Sequence, residues 1–160
     1  MKVKEFRAYI NEDGNPYLRE TGTSYNYDAR RVFNNPRDVA DLAANTIRIA
    51  DCAEEYCYIF CLNSKGKLTG LFEATHGTVN ASLVSPREIY QKALLLGAVN
   101  IIMAHNHPSG DPSPSKEDHS VTKKIIESGK ILDVELLDHI IIGRNGYYYS
   151  FKEYHPEMFK

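Results

Sequence analysis

Two histidines and an aspartate carry the clearest chemical signal in this chain. His105 and His107 stand two residues apart at the end of an apolar run, Val99–Asn100–Ile101–Ile102–Met103–Ala104, which reads as a buried strand. Alternate side chains of an extended chain project to the same face, so both imidazoles point one way and Asn106 the other. A turn-rich connection follows over residues 108–114. It ends at Ser115–Lys116–Glu117–Asp118, a helix start with Ser as cap and an acid three residues on. A strand end bearing two imidazoles and a helix start bearing a carboxylate can converge on one point. Three N/O donors of this kind suit a divalent ion such as zinc, with a fourth position left for water. Spacing alone leaves a second reading open, in which a loop beside Pro108 caps its own backbone with its histidines.

The elements around these residues are legible from pattern. Ser85–Pro86–Arg87–Glu88 reads as a capping box with Pro at the first helical position. The helix it opens runs through Ile89, Ala93, Leu94 and Leu96 to a stop at Gly97, and supports the histidine-bearing strand. After Asp118, a helix faces inward with Val121, Ile125 and Ile126 and ends near Ser128–Gly129. Residues 131–137 then read as one strand and 138–143 as another, followed by a hairpin turn at Asn145–Gly146. Upstream, Asn35–Pro36–Arg37–Asp38 starts a helix whose Val39, Leu42, Ala43, Ile47 and Ala50 recur at helical spacing. Glu54 and Glu55 precede Tyr56–Cys57–Tyr58–Ile59–Phe60–Cys61–Leu62, a nearly continuous apolar run of the kind found in strands covered on both faces. Residues 63–67 turn, residues 68–72 return as a neighbouring strand, and residues 77–84 read as a turn and further strand. In the first 35 residues, Phe6 to Ile10 forms a strand and Asp13–Gly14–Asn15–Pro16 a turn. Tyr17, Tyr25, Tyr27, Arg30 and Arg31 offer an aromatic, basic surface for packing on the domain or a partner subunit, or for contact with nucleic acid.

The string His105–Asn106–His107, seven residues, Ser115, two residues and Asp118 resembles the JAMM motif of JAB/MPN metalloproteases. The wider set (Ser85 to Ile89, Gly77–Thr78, His105 to Gly110, Pro114–Ser115 and Asp138 to Gly143) resembles the RadC-like branch, over residues 35–152. The resemblance implies an α/β fold, a mixed β-sheet flanked by helices of the JAB/MPN (cytidine-deaminase-like) type. That domain would occupy residues 36–160, with residues 1–35 as an N-terminal extension packed on it. It further implies a Zn²⁺ site with His105, His107 and Asp118 as ligands and a glutamate general base at the start of the Tyr56–Leu62 strand. Glu55 aligns best, directly before Tyr56, with Glu54 as the fallback. In such a site zinc lowers the pKa of its water from 15.7 to about 7, and Glu55 passes a proton to the leaving amine. The Ser115 hydroxyl is a candidate oxyanion donor, although the same hydroxyl is the helix cap. His139 is read as supporting the site or the fold rather than as a third imidazole ligand.

The first functional expectation is therefore a zinc metallopeptidase or isopeptidase acting on a peptide or protein substrate. The alternative is a DNA-linked role, from the DNA-repair label that RadC-like proteins carry. A purely structural metal is the third. Composition weighs against the alternative, because a net charge of −2 and the lack of a basic cluster give phosphate little to bind. A separate N-terminal helical DNA-binding module is also not expected within these 160 residues. H-E-x-x-H, P-C-x-x-C and glycine-rich phosphate loops are absent from the sequence, so other zinc chemistries fit less well and nucleotide-dependent chemistry has no sequence support. At 42% hydrophobic and 25% charged over 160 residues, the chain suits one globular domain. No run of about 18 apolar residues is present, and the first residues lack a signal-peptide core. Cys52, Cys57 and Cys61 are odd in number, as in a reduced cytoplasmic setting, with Cys57 and Cys61 read as buried hydrophobes.

Overall fold

The apolar runs that read as doubly covered strands form the centre of one seven-stranded mixed sheet in the computed structural model, which describes residues 2–28, 32–33, 35–77 and 84–160. In chain order the strands are β1 (Lys2–Ile10), β2 (Pro16–Asn26), β3 (Glu55–Leu62), β4 (Leu68–Gly77), β5 (Asn100–Asn106), β6 (Glu135–Ile142) and β7 (Tyr148–Ser150). Their order across the sheet is β2-β1-β4-β3-β5-β6-β7. β1 runs parallel to β4 and β5 parallel to β6, and the other neighbours are antiparallel. The helices are α1 (Pro36–Asp41), α2 (Pro86–Leu95), α3 (Lys116–Leu132) and the short α4 (Phe151–Tyr154). One face of the sheet packs Cys57, Ile59, Cys61 and Met103 against α2 and α3. The other packs Tyr58, Phe60, Ile102 and Ile140 against α1 and the turns after it. This alternation along β3 and β5 is why their sequences are apolar throughout. Cys57 and Cys61 are free and buried, and burial pushes both thiols up to about 12.

Several elements differ from the sequence reading. The first helix breaks early: after Asp41 it widens into a π turn over Leu42–Ile47, Arg48 turns left-handed at φ 67°, and a 3-10 turn covers Ile49–Asp51. The β-branched pair Thr46–Ile47 at that break weakens regular helix. Ser85 stands at the N-cap of α2, with Pro86 after it, but its side chain makes no capping bond. Gly129 does not stop α3, which continues to Leu132 and ends on left-handed Asp133. A Cβ at Gly129 would sit 2.5 Å from the Tyr90 hydroxyl and 2.5 Å from the Val134 carbonyl, so that glycine permits close packing rather than termination. Residues 131–137 and 138–143 accordingly yield a single strand, β6. β2, which the sequence did not reveal, completes an N-terminal hairpin that joins the sheet through β1. The strand expected after Gly77 and the pair Arg30–Arg31 fall largely or wholly outside the described residues. Among the described residues no helix is long and apolar enough to cross a membrane.

Asp138 ties β6 to the end of β7 and the start of α4. Its Oδ2 accepts from the Ser150 hydroxyl at 2.6 Å, and its Oδ1 from the backbone N–H groups of His139 and Lys152 at 2.7 and 3.0 Å. Burial pushes its pKa from 3.8 up to about 6, with these donors offsetting only part of the effect. Between those values the native state binds more protons than the unfolded chain. The contribution is full below 3.8 and lost as pH rises through about 6, up to about 3 kcal/mol. Asp138→Asn is expected to remove that slope. Denaturant unfolding over a pH series checks it, and an unchanged slope in the variant contradicts it.

Candidate metal centre

β5 lies between β3 and β6, so its C-terminal end is hydrogen-bonded on both sides and its side chains are held in place. His105 is fully buried at that end, and His107 follows it with its N–H bonded to the Ile142 carbonyl at 3.0 Å. The His107 Nδ1 lies 2.9 Å from the Asp111 carbonyl. A carbonyl only accepts, so in the neutral ring Nδ1 carries the proton and Nε2 is bare. From the opposite side, α3 brings Asp118 through a complete capping box. The Ser115 hydroxyl accepts from Asp118 N–H at 3.1 Å, and Asp118 Oδ2 accepts from Ser115 N–H at 2.7 Å. The Ser115 hydroxyl also donates to Asp118 Oδ2 at 2.6 Å, so Ser115 both caps the helix and holds this carboxylate.

The three side chains meet. His105 Nε2 is 3.1 Å from His107 Nε2 and 3.3 Å from Asp118 Oδ1, and His107 Nε2 is 3.5 Å from Asp118 Oδ2. A tetrahedral ion with ligand distances of about 2.0–2.1 Å has ligand–ligand edges of about 3.3 Å. The three separations are of about that size, with one Asp118 oxygen nearest each imidazole. Two imidazole nitrogens and a carboxylate face one another here, an arrangement that a shared proton or a metal cation would relieve. The set is therefore a possible metal-binding group. Burial opposes ionisation of Asp118, but its neighbours His105, His107 and Ser115 outweigh it and hold the carboxyl well below the usual range. Burial likewise disfavours charge on His107, yet Asp118, the Asp111 carbonyl and the charge of Glu55 outweigh it and raise its pKa.

Glu55 opens β3 and is half-buried. Cys57 is the register partner of His105, and extending that antiparallel register by two residues sets Glu55 across from His107. Glu54 is engaged by His76, whose ring stacks on Tyr56 with centroids 4.0 Å apart. Asn106, pointing to the opposite face from the histidines, fixes this corner. Its Oδ1 accepts from Tyr56 N–H at 2.7 Å and its Nδ2 donates to the Glu54 carbonyl at 3.0 Å, gripping the backbone on both sides of Glu55. Asn106→Ala leaves both backbone groups without this partner and is expected to cost about 1–3 kcal/mol. Urea unfolding measures it, and a loss under a few tenths contradicts it.

Sequence reasoning thus placed His105, His107, Asp118 and Ser115 where the structure brings them together, and Glu55 on the adjoining strand. It missed Asn106 and Thr122. Thr122 is buried, donates to the Asp118 carbonyl at 2.6 Å and lies 2.6 Å from His139 Nδ1. Its only signal was a hydroxyl one turn after Asp118 on an inward helix face. His139 is fully buried against His105, and burial first, then His105, lowers its pKa well below the usual imidazole value.

A mixed sheet flanked by helices, carrying a His-His-Asp group at the meeting of a strand end and a helix start, defines a JAB-type α/β domain with a possible metal site. A family model described as "RadC-like JAB domain" matches residues 33–156, and the chain belongs to that family. It is 45% identical over 125 residues to a UPF0758 protein of Moorella thermoacetica, covering 78% of this chain and 53% of that one. A UPF0758 protein of Alkaliphilus metalliredigens is 46% identical over 121 residues, 76% and 51% of the two chains. One of Clostridium tetani is 42% identical over 151 residues, 94% and 58%. The chain spans about half the length of the curated relatives it matches.

Proposed function

We propose that this domain is a zinc-dependent hydrolase of amide bonds, a peptidase or isopeptidase, with residues 1–35 as an extension packed on it. The observation that supports this reading is the convergence of His105, His107 and Asp118, whose imidazole nitrogens lie 3.1 Å apart and 3.3 and 3.5 Å from the two carboxylate oxygens. A bound zinc ion would supply Lewis acidity, the chemistry that acidifies water and polarises a carbonyl. His105, His107 and Asp118 would hold it. Glu55, one strand away, takes a proton from the attacking water and delivers it to the leaving amine. Asn106 keeps the Glu55 backbone in register, and Ser115 holds Asp118 rather than aiming its hydroxyl at substrate.

The test is incubation of zinc-loaded protein with a mixed panel of peptides and side-chain-linked isopeptides, with new amines read by mass spectrometry. Cleavage that a chelator abolishes and zinc restores is expected. Absence of cleavage in protein carrying a full equivalent of zinc, together with salt-sensitive binding of DNA, would overturn the reading in favour of a nucleic-acid role.

A further inference from the structure

We propose that His139 and Thr122 are positioning residues that fix the tautomer of His105, leaving its Nε2 unprotonated and aimed at a metal. The inference rests on the metal reading above and concerns how one ligand of that site is prepared.

The two histidines of the site reach the same state by different routes. His107 is set directly, because a backbone carbonyl, that of Asp111, takes its Nδ1 proton. The corresponding nitrogen of His105 faces another ring: His105 Nδ1 lies 2.7 Å from His139 Nε2. Two imidazoles at that distance share one proton, and either could own it. The ambiguity is resolved further along. His139 Nδ1 lies 2.6 Å from Thr122 Oγ1, and Thr122 Oγ1 lies 2.6 Å from the Asp118 carbonyl. The carbonyl has no proton to give, so the Thr122 hydroxyl donates to it and presents a lone pair to His139. His139 must then donate from Nδ1 and accept at Nε2. His105 in turn must donate from Nδ1, and its Nε2 is bare.

Each link is constrained. His105, Thr122 and His139 are fully buried, so bulk solvent does not reach them. The His139 ring lies flat on Phe151, with an interplanar angle of 4° and centroids 4.9 Å apart, which holds it in the plane the chain needs. The chain ends on the backbone of Asp118, so the residue supplying the third donor also orients the first. Reversing the two hydrogen bonds made by His139 would place a proton on His105 Nε2, 3.1 Å from His107 Nε2, in the space a cation would fill.

The test reads tautomers and affinity separately. Metal-free protein labelled with ¹⁵N-histidine, at mildly alkaline pH, is examined by long-range ¹H–¹⁵N correlation. Zinc affinity is measured by competition with a chelator. In the wild type, His105 and His139 are both expected to carry their proton on Nδ1. Thr122→Val keeps the volume and removes the acceptor for His139, so the proton pattern is expected to reverse or mix. Zinc affinity should then fall about 10–100-fold, and Thr122→Ser should restore both. A wild-type His139 protonated on Nε2 would overturn the inference, as would Thr122→Val with unchanged tautomers and affinity. If the wild type binds no zinc at all, the metal reading fails, while the tautomer pattern still decides this inference.

Discussion

Glu55→Gln is expected to lower amide hydrolysis by the zinc-loaded protein about 10²–10⁴-fold, the usual contribution of a positioned general base, and to leave zinc content unchanged. Gln preserves size and hydrogen bonding but cannot take a proton. Glu55 begins β3, on the strand that pairs with β5, and its charge acts on His107. Its backbone is gripped on both sides by Asn106, so the substitution has little reason to move the site. The loss should fall on kcat rather than KM, because a proton transfer is made only in the transition state. Glu54→Gln is the control: that side chain is engaged by His76, and its removal should leave turnover within a few-fold. Retained activity in Glu55→Gln with loss in Glu54→Gln would reassign the base.

Zinc is also expected to raise the melting temperature substantially. Three buried or half-buried donors face one another within a few ångströms, so the native state is expected to bind the ion far better than the unfolded chain. At a free zinc concentration of about 1,000 times Kd, linkage stabilises the fold by about 4 kcal/mol. For a chain of this size that is an increase of about 8–16 °C. His107→Ala, which removes the least buried of the three donors, should abolish the increase. A scan in which chelator and zinc give the same midpoint for the wild type would contradict it.

The site was readable from sequence because its parts are local. Two-residue periodicity put His105 and His107 on one face, and the capping box that fixes Asp118 is written within four consecutive residues. What could not be read depends on contacts distant in the chain. β2 carries no apolar alternation because it is an edge strand, largely exposed along its length. Asp138 interrupts an apolar run and so suggested two strands, whereas Ser150 and two backbone donors satisfy it inside one. Gly129 looked like a helix stop and is a point of close approach to Tyr90. Thr122 and His139 meet only in the folded chain, and each alone is an ordinary residue on an inward face.

The most direct measurement is elemental analysis of protein purified without added metal, repeated on His107→Ala. The account requires about one equivalent of zinc per wild-type chain and its loss in the variant. A wild type that retains no divalent metal even after zinc is offered, or a variant that holds as much as the wild type, would contradict it.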